Sequence, residues 1–532
     1  MYRRLEKRND IVEELKQVDQ QVVKFLKELH EPETLIIPSK EVIESIKAKL
    51  NTFRNEVLRI KSEVSESEIY SIWVDHLLEL LDSSEIVLEE SLRHPSKYVR
   101  SLGYCIHSVL MGNTSIEDKL KKLKNITDTL QRWLDALLDL TQKAPDDRVK
   151  RAIGAAEGIL KEVNRCIDTY IHEVLQAKPS DRQKYYELLK YLAVLGENIS
   201  SYIVKAEGVL GKERELMEDI AYEEYVEKAY RLPLNWIAKW YTDELTQTIR
   251  RFEELAYSIN PNKKPLETLR ETIHAPYRSA DEMFRDLKEF LDIAKVHAKR
   301  VLDIPEEVVC EVTGVKEFER DIYPMGYAGV PDPLKKEVKC RVALNQYNYK
   351  AFSRGWLMMM AIHEAYYGHN IHWIKVGLAD IPESFKVNSS IGAPLSEGLA
   401  LRGEELLQDI YNDKTFPLFV AYRKVMTALR VYVEMEMFYF KRITPEDAIR
   451  LYINIAGFDE QTARDLVNAH LENRGYNLCY LTGYKMIEEF RKVLKDVDEK
   501  TFSNKLFSAG FVSMSTLKKI LGIKESMPWE VN

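Results

Sequence analysis

The chain has 532 residues, 45% hydrophobic and 30% charged, with a formal net charge of −8. That length supports a large core and about two to four domains. The acidic balance excludes a general nucleic-acid binder, which needs a basic stripe against phosphates. The opening "MYRRLEKRND" is charged and no apolar core follows it, so a secretory signal is not expected. No run of 18 uncharged apolar residues occurs, so no membrane span is expected either. The five cysteines, at 105, 166, 310, 340 and 479, are scattered and contain no CxxC pair. This pattern predicts a cytoplasmic protein without structural disulfides, in which any metal is held by histidine and carboxylate.

The first 230 residues read as helix almost throughout. Apolar residues recur at spacings of three and four in "IYSIWVDHLLELL" (69–81) and "ITDTLQRWLDALLDL" (126–140). Ser115, with Asp118 three residues on, is a helix start of capping-box type. Pro95, Pro145 and Pro179 stand at plausible helix boundaries. Between Pro233 and Pro333 eight prolines fall, and "SINPNKKP" (258–265) and "MGYAGVPDP" (325–333) read as loops. Two valine-rich alternating runs, 307–314 and 337–345, predict a small sheet or hairpin. The second is expected to offer an edge to an extended peptide. Helical periodicity resumes near Tyr349. Residues 416–440 read as a buried helix despite Arg423, Lys424, Arg430, Glu434 and Glu436.

The chemistry concentrates in "HEAYYGHNIH" (363–372). In a common zinc helix the two histidines stand four apart, about 400° of turn, so both rings share a face. Here His363 and His369 are six apart, about 600°, and the rings diverge on an ideal helix. They share a metal only if the helix bulges or breaks between them, and Gly368, which tolerates dihedrals a helix does not use, is the expected place. His372, three residues past His369, is either a ligand, a supporting group or a neighbour. Downstream, Glu397 and Glu404 in "PLSEGLALRGEEL" (394–406) lie seven apart on one helical face. They suit a ligand and a supporting acid that fixes an imidazole tautomer; ordinary glutamates of a surface helix are the alternative. Arg402 is expected to point away from the metal. Arg354 is a candidate for a substrate carboxylate, with a surface ion pair the favoured reading. His470 is a candidate second proton donor. His76, His107, His172 and His297 read as structural or surface residues.

Together these segments resemble the zincin-like family filed as domain of unknown function 885, with the patterns HExxPGHH and, some thirty residues on, EGWALYAE. "GYNLCYLTG" (475–483) is similar to the family's PGQAxSYxxG, with Gly475, Tyr480 and Gly483 in step. The resemblance covers residues 305 to 520. It implies a mainly α, multi-helix zincin-like metallopeptidase fold with a small β hairpin or sheet near the active helix. Residues 1–230 would form a helical wall or lid of the cleft, and 231–532 the catalytic region. His363, His369 and Glu397 would hold zinc, with Glu364 as general base and Tyr480 steadying an oxyanion. Glu404 and His372 would support the ligands. Tyr367 stands where the family has proline, Asn370 replaces the second histidine, Leu399 a tryptophan, Arg402 a tyrosine and Tyr476 a glutamine. The implied activity is hydrolysis of short peptides or small amides, with no nucleic-acid or membrane partner. The rival expectation is a non-enzymatic helical scaffold with a relic or structural metal site.

Overall fold

The computed structural model describes residues 2–30, 35–64, 68–111, 114–315 and 325–531. The described chain is mainly helical with one three-stranded sheet. It divides into two compact units, one of Gln20–Glu56 with Glu85–Ile220, the other of Met1–Asp19, Val57–Ser84 and Ala221–Asn532. The predicted helices at 69–81 and 126–140 lie within Glu68–Ser91 and Ile116–Gln142. Ser115 caps the latter by accepting from Asp118 N. Pro95 and Pro179 open helices and Pro145 caps one, where the missing proline N–H costs nothing.

In the first unit, the helices Pro95–Met111, Ile116–Gln142, Asp146–Gln176 and Pro179–Glu207 pack around an apolar core. Leu123, Ile126, Leu130, Trp133, Leu137 and Leu140 form a stripe at helical spacing that is buried along its length. Arg148 makes a two-pronged pair with Asp219, at 2.6 and 2.9 Å.

The second unit carries the sheet. Its strands are β1 (Val309–Gly314), β2 (Gly326–Gly329) and β3 (Lys339–Leu344), in the order β1-β3-β2. β1 runs parallel to β3 and β2 antiparallel to it. The two predicted runs are therefore strands, but the run at 337–345 offers no edge. β3 is the central strand and both its sides are already hydrogen-bonded; among the described residues β1 and β2 are the outer strands. Asn370 Nδ2 approaches Cys310 Sγ at 3.9 Å and ties β1 to the helix His369–Leu378.

Helix Ala393–Leu406 is buried from Pro394 through Glu404, so it is not a surface helix. It lies against helix Cys479–Val493 at backbone contact distance. A Cβ on Gly398 would sit 2.5 Å from the Gly483 carbonyl carbon, and one on Gly483 would sit 1.9 Å from the Pro394 oxygen. Only glycine fits at both positions. The approach sets the segment that bears Tyr480 beside the one that bears Glu397. Helix Phe416–Glu434 is buried as expected, and its Arg423 and Glu434 each find a partner described below. Among the described residues, no helix is long and apolar enough to cross a membrane.

Candidate metal centre

Ser353 caps helix Arg354–Met360 by accepting from Trp356 N. Seven residues on, the helix widens into a π-turn over Ala361–Ala365, which holds His363 and Glu364. It then breaks, and a new helix starts at His369. The predicted interruption is present, but its strain is distributed differently from expectation. The left-handed dihedral falls on Tyr367, at φ 103, and not on Gly368, whose φ is −144. Gly368 is required for space: a Cβ there would lie 1.7 Å from the His363 carbonyl oxygen. Tyr367 is held in its uncommon conformation by burial and by two partners, Ser503 Oγ at 2.6 Å and Arg402 Nη1 at 2.7 Å.

The break brings the imidazoles of His363 and His369 together, with ring centroids 5.0 Å apart and planes at 86°. Glu397 completes the cluster. Its Oε2 lies 3.5 Å from His369 Nε2 and 3.8 Å from His363 Nε2. One ligand atom from each residue falls within 4.8 Å of the other two. Tetrahedral zinc with bonds of about 2.0–2.1 Å places its ligand atoms roughly 3.3 Å apart. The two distances from Glu397 Oε2 lie within a few tenths of an ångström of that value. Glu397 Oε2 is buried and makes no hydrogen bond among the described residues. A buried carboxylate oxygen left without a donor, facing two imidazole nitrogens, is what a cation would satisfy.

The surrounding charges favour a cation. Burial works against charge on His369, but Glu397, with Glu364 and Glu404 behind it, raises its pKa to about 9. Burial likewise opposes ionisation of Glu397, yet His369 and His363 bring it down to about 2. The Tyr476 hydroxyl donates to Glu397 Oε1, which leaves Oε2 as the oxygen turned to the histidines.

Behind His363, Nδ1 lies 2.7 Å from Glu404 Oε1. An ionised carboxylate only accepts, so Nδ1 carries the proton and Nε2 is left with its lone pair toward Glu397. Glu404 is fully buried. Burial pushes its carboxyl up, but Arg423, at 3.1 Å, and the His363 ring overcome this and hold it below the usual range. Glu397 and Glu404 thus flank one imidazole from the two ends of their seven-residue spacing, as the helix period predicts.

Glu364 is half-buried beside His363. It makes no hydrogen bond or ion pair among the described residues, although its charge reaches both His369 and Arg423. Tyr480 stacks on His363 at 6.4 Å with planes 14° apart, and meets the Tyr476 ring edge-on at 5.7 Å. Burial holds its phenol well above the ordinary range, so it stays protonated and can donate.

His372 is outside the ligand cluster. Its Nδ1 lies 3.0 Å from Ser396 Oγ, its ring packs against Phe507 and Phe511, and burial pushes its pKa down to about 3. It supports the helix start next to Glu397 as a neutral side chain. His470 is a step further back: Glu434 Oε1 and the Tyr452 hydroxyl take its two nitrogens, at 2.8 and 2.6 Å. Glu434 also accepts from Tyr222 and from Gly475 N. The pair anchors the turn that carries Tyr476, and His470 is not placed as a proton donor to the cluster. Arg402 points away from the cluster, to Glu488 and Glu499, as expected. Arg354 forms ion pairs with Asp286 and Asp413. Sequence reasoning assigned no role to Tyr476 or Arg423. Each carried a signal: a departure from the family pattern at 476, and a charge within an apolar helix at 423.

A mainly helical protein with a His–His–Glu cluster and an unpaired glutamate beside it is the class that fold and site define. Residues 113–521 match the family described as "Bacterial protein of unknown function (DUF885)", and the chain belongs to that family. No curated protein matches the sequence. Two solved structures share the fold. One is a candidate lipoprotein of Colwellia psychrerythraea, with TM-score 0.71, 15% identity, and 96% of this chain and 99% of that one covered. The other is a candidate lipoprotein of unknown function from Shewanella oneidensis, with TM-score 0.68, 14% identity, and 96% and 98% covered.

Proposed function

We propose that the protein is a zincin-like, zinc-dependent metallopeptidase that hydrolyses amide bonds of short peptides. His363 Nε2, His369 Nε2 and Glu397 Oε2 would hold the ion, and His/carboxylate donor chemistry suits zinc. When bound, zinc would supply Lewis acidity to the scissile carbonyl and lower the pKa of a coordinated water. The observation that carries the reading is Glu364. Glu397 and Glu404 are each tied to neighbouring side chains, while Glu364, half-buried beside His363, has no hydrogen bond or ion pair among the described residues. A structural site has no use for such a carboxylate, which weighs against the relic-site alternative.

In this reading Glu364 takes the proton of the attacking water and returns it to the leaving amine. Tyr480 donates its phenolic hydrogen bond to the oxyanion that develops on the carbonyl. Glu404 keeps His363 in the tautomer that presents Nε2, and Arg423 keeps Glu404 ionised. Tyr476 orients Glu397. The expected partner is a peptide or small amide. A cytoplasmic location is part of the proposal, supported by five cysteines of which none is assigned to a disulfide; the similar structures are described as candidate lipoproteins, and cell fractionation decides between the two placements.

The test is Glu364→Gln on zinc-loaded protein with a broad peptide library. The variant should keep its zinc and lose hydrolysis by about 100-fold or more. Full hydrolysis by Glu364→Gln would overturn the mechanism, and zinc without turnover in the wild type would favour the scaffold.

A further inference from the structure

Helix Phe416–Glu434 presents Arg423, Thr427, Arg430 and Glu434 at spacings of four, three and four, so they share one face. The charges at the two ends of this stripe are consumed. Arg423 is paired with Glu404, and Glu434 is taken by His470, Tyr222 and Gly475 N. Glu434 is also the acid one turn from Arg430, where an ion pair between them would ordinarily form. With its oxygens already committed, Arg430 is left without an acid.

Arg430 is half-buried, and its guanidinium carbon sits 5.0 Å over the Tyr480 ring. Among the described residues it has no hydrogen bond and no carboxylate partner. The aromatic face fixes the guanidinium in place but satisfies none of its five N–H donors. The far neighbour of that same ring is His363. A pre-positioned, unpaired guanidinium thus stands one aromatic ring away from the cluster.

A guanidinium of this kind matches a carboxylate, which it binds through two parallel hydrogen bonds. We propose that Arg430 binds a carboxylate of the substrate, so that the site takes peptides with a negative charge close beyond the cleaved bond. An extended peptide advances about 3.3 Å per residue, so two or three residues span the 5.0 and 6.4 Å ring contacts that separate Arg430 from His363. The carboxylate can come from a free C-terminus, which makes the activity carboxypeptidase-like, or from an acidic side chain. The inference rests on the hydrolase reading for its meaning, but binding tests it separately.

The experiment measures binding of three short acetylated peptides of common sequence to zinc-loaded Glu364→Gln protein by calorimetry. One ends in a free acid, one in an amide, and one in an amide after a C-terminal glutamate. The free acid should bind about 10- to 100-fold tighter than the plain amide, the range expected of a charge-assisted hydrogen-bonded pair. In Glu364→Gln/Arg430→Met that ratio should fall to about one, with zinc content and thermal unfolding unchanged. Arg430→Lys should retain part of it. Tight binding of the glutamyl amide identifies a side chain as the source; weak binding identifies the terminus. Equal binding of all three peptides, no binding of any, or a preference that survives Arg430→Met overturns the proposal. If the preference appears and depends on Arg430 while the wild type hydrolyses nothing, the carboxylate site stands and the peptidase reading fails.

Discussion

Arg402 donates a hydrogen bond of 2.7 Å to the hydroxyl of Tyr367. Tyr367 and Arg402 stand where the resembled motifs would carry proline and tyrosine, and here the two are direct partners. Proline is confined to φ near −65°, whereas Tyr367 stands at φ 103. A proline therefore cannot adopt the conformation that Tyr367 has in the turn between His363 and His369. Arg402, itself clamped by Glu499 at 2.6 and 2.9 Å, is what pins it.

Restoring the family proline should then damage the site. Tyr367→Pro is expected to abolish metal binding and to destabilise the fold. Tyr367→Phe keeps the ring but leaves Arg402 and Ser503 short of a buried partner, at a cost of about 1–3 kcal/mol. Urea unfolding and a zinc competition titration check both. Wild-type zinc affinity in Tyr367→Pro would contradict the strain argument.

Elemental mass spectrometry on purified protein should find about one zinc per chain. The ion should be lost in His363→Ala/His369→Ala and in Glu397→Ala. His372→Ala should keep it, because that ring faces Ser396 and two phenylalanines. Tyr476→Phe should keep the stoichiometry but weaken affinity by about 10-fold, as expected when a partner that orients a ligand is removed. A wild type that stays free of metal after zinc loading, or a histidine double variant that retains it, would refute the assigned ligands.

The Glu404–Arg423 pair is buried on both sides, with exposures of 0% and 4%. Arg423→Met strands a carboxylate and should cost about 3–5 kcal/mol. Arg423→Met/Glu404→Gln removes the stranded charge and should recover much of that loss. A double variant no more stable than Arg423→Met would show that the pair is not the source of the penalty. Chemical denaturation of these three proteins and of Glu404→Gln closes the cycle.

In the other unit, His94 is fully buried with Nε2 3.0 Å from Glu90 Oε1. Burial outweighs the carboxylate and pushes its pKa from 6.5 down to about 4. The sign follows from proton counting. Between these values the unfolded chain binds the proton and the folded one does not, so stability is intact above about pH 6.5 and falls as pH drops toward 4. The full loss amounts to roughly 3 kcal/mol. His94→Gln should flatten this part of the stability–pH profile in urea unfolding; an unchanged slope would sink the assignment.

Helix placement was largely legible in the sequence. Apolar spacing, the Ser115 cap and the prolines at 95, 145 and 179 marked segments that local energetics already favour. The strands at 309–314 and 339–344 were legible from their valines. Their order was not, because strand order is set by which edge each chain segment reaches, and β3 came out central. The cluster His363, His369 and Glu397, the proposed ligand set, was legible only with the family resemblance, since a gap of six defeats a straight helix.

The sequence by itself determined which chemistry is possible here: two imidazoles, their carboxylates, and glycines where backbones must touch. These are local choices, written in residue type and in the helix period. The tertiary structure decided which charges are spent and which are free. Arg423 meets Glu404, Glu434 meets His470, Tyr476 meets Glu397, and among the described residues Glu364 and Arg430 are left unpaired. The period assigns a residue to a face of its own helix, but the residue opposite that face comes from a segment tens of residues away. Only the packing of whole helices brings such partners within the 3 Å or so over which a hydrogen bond acts.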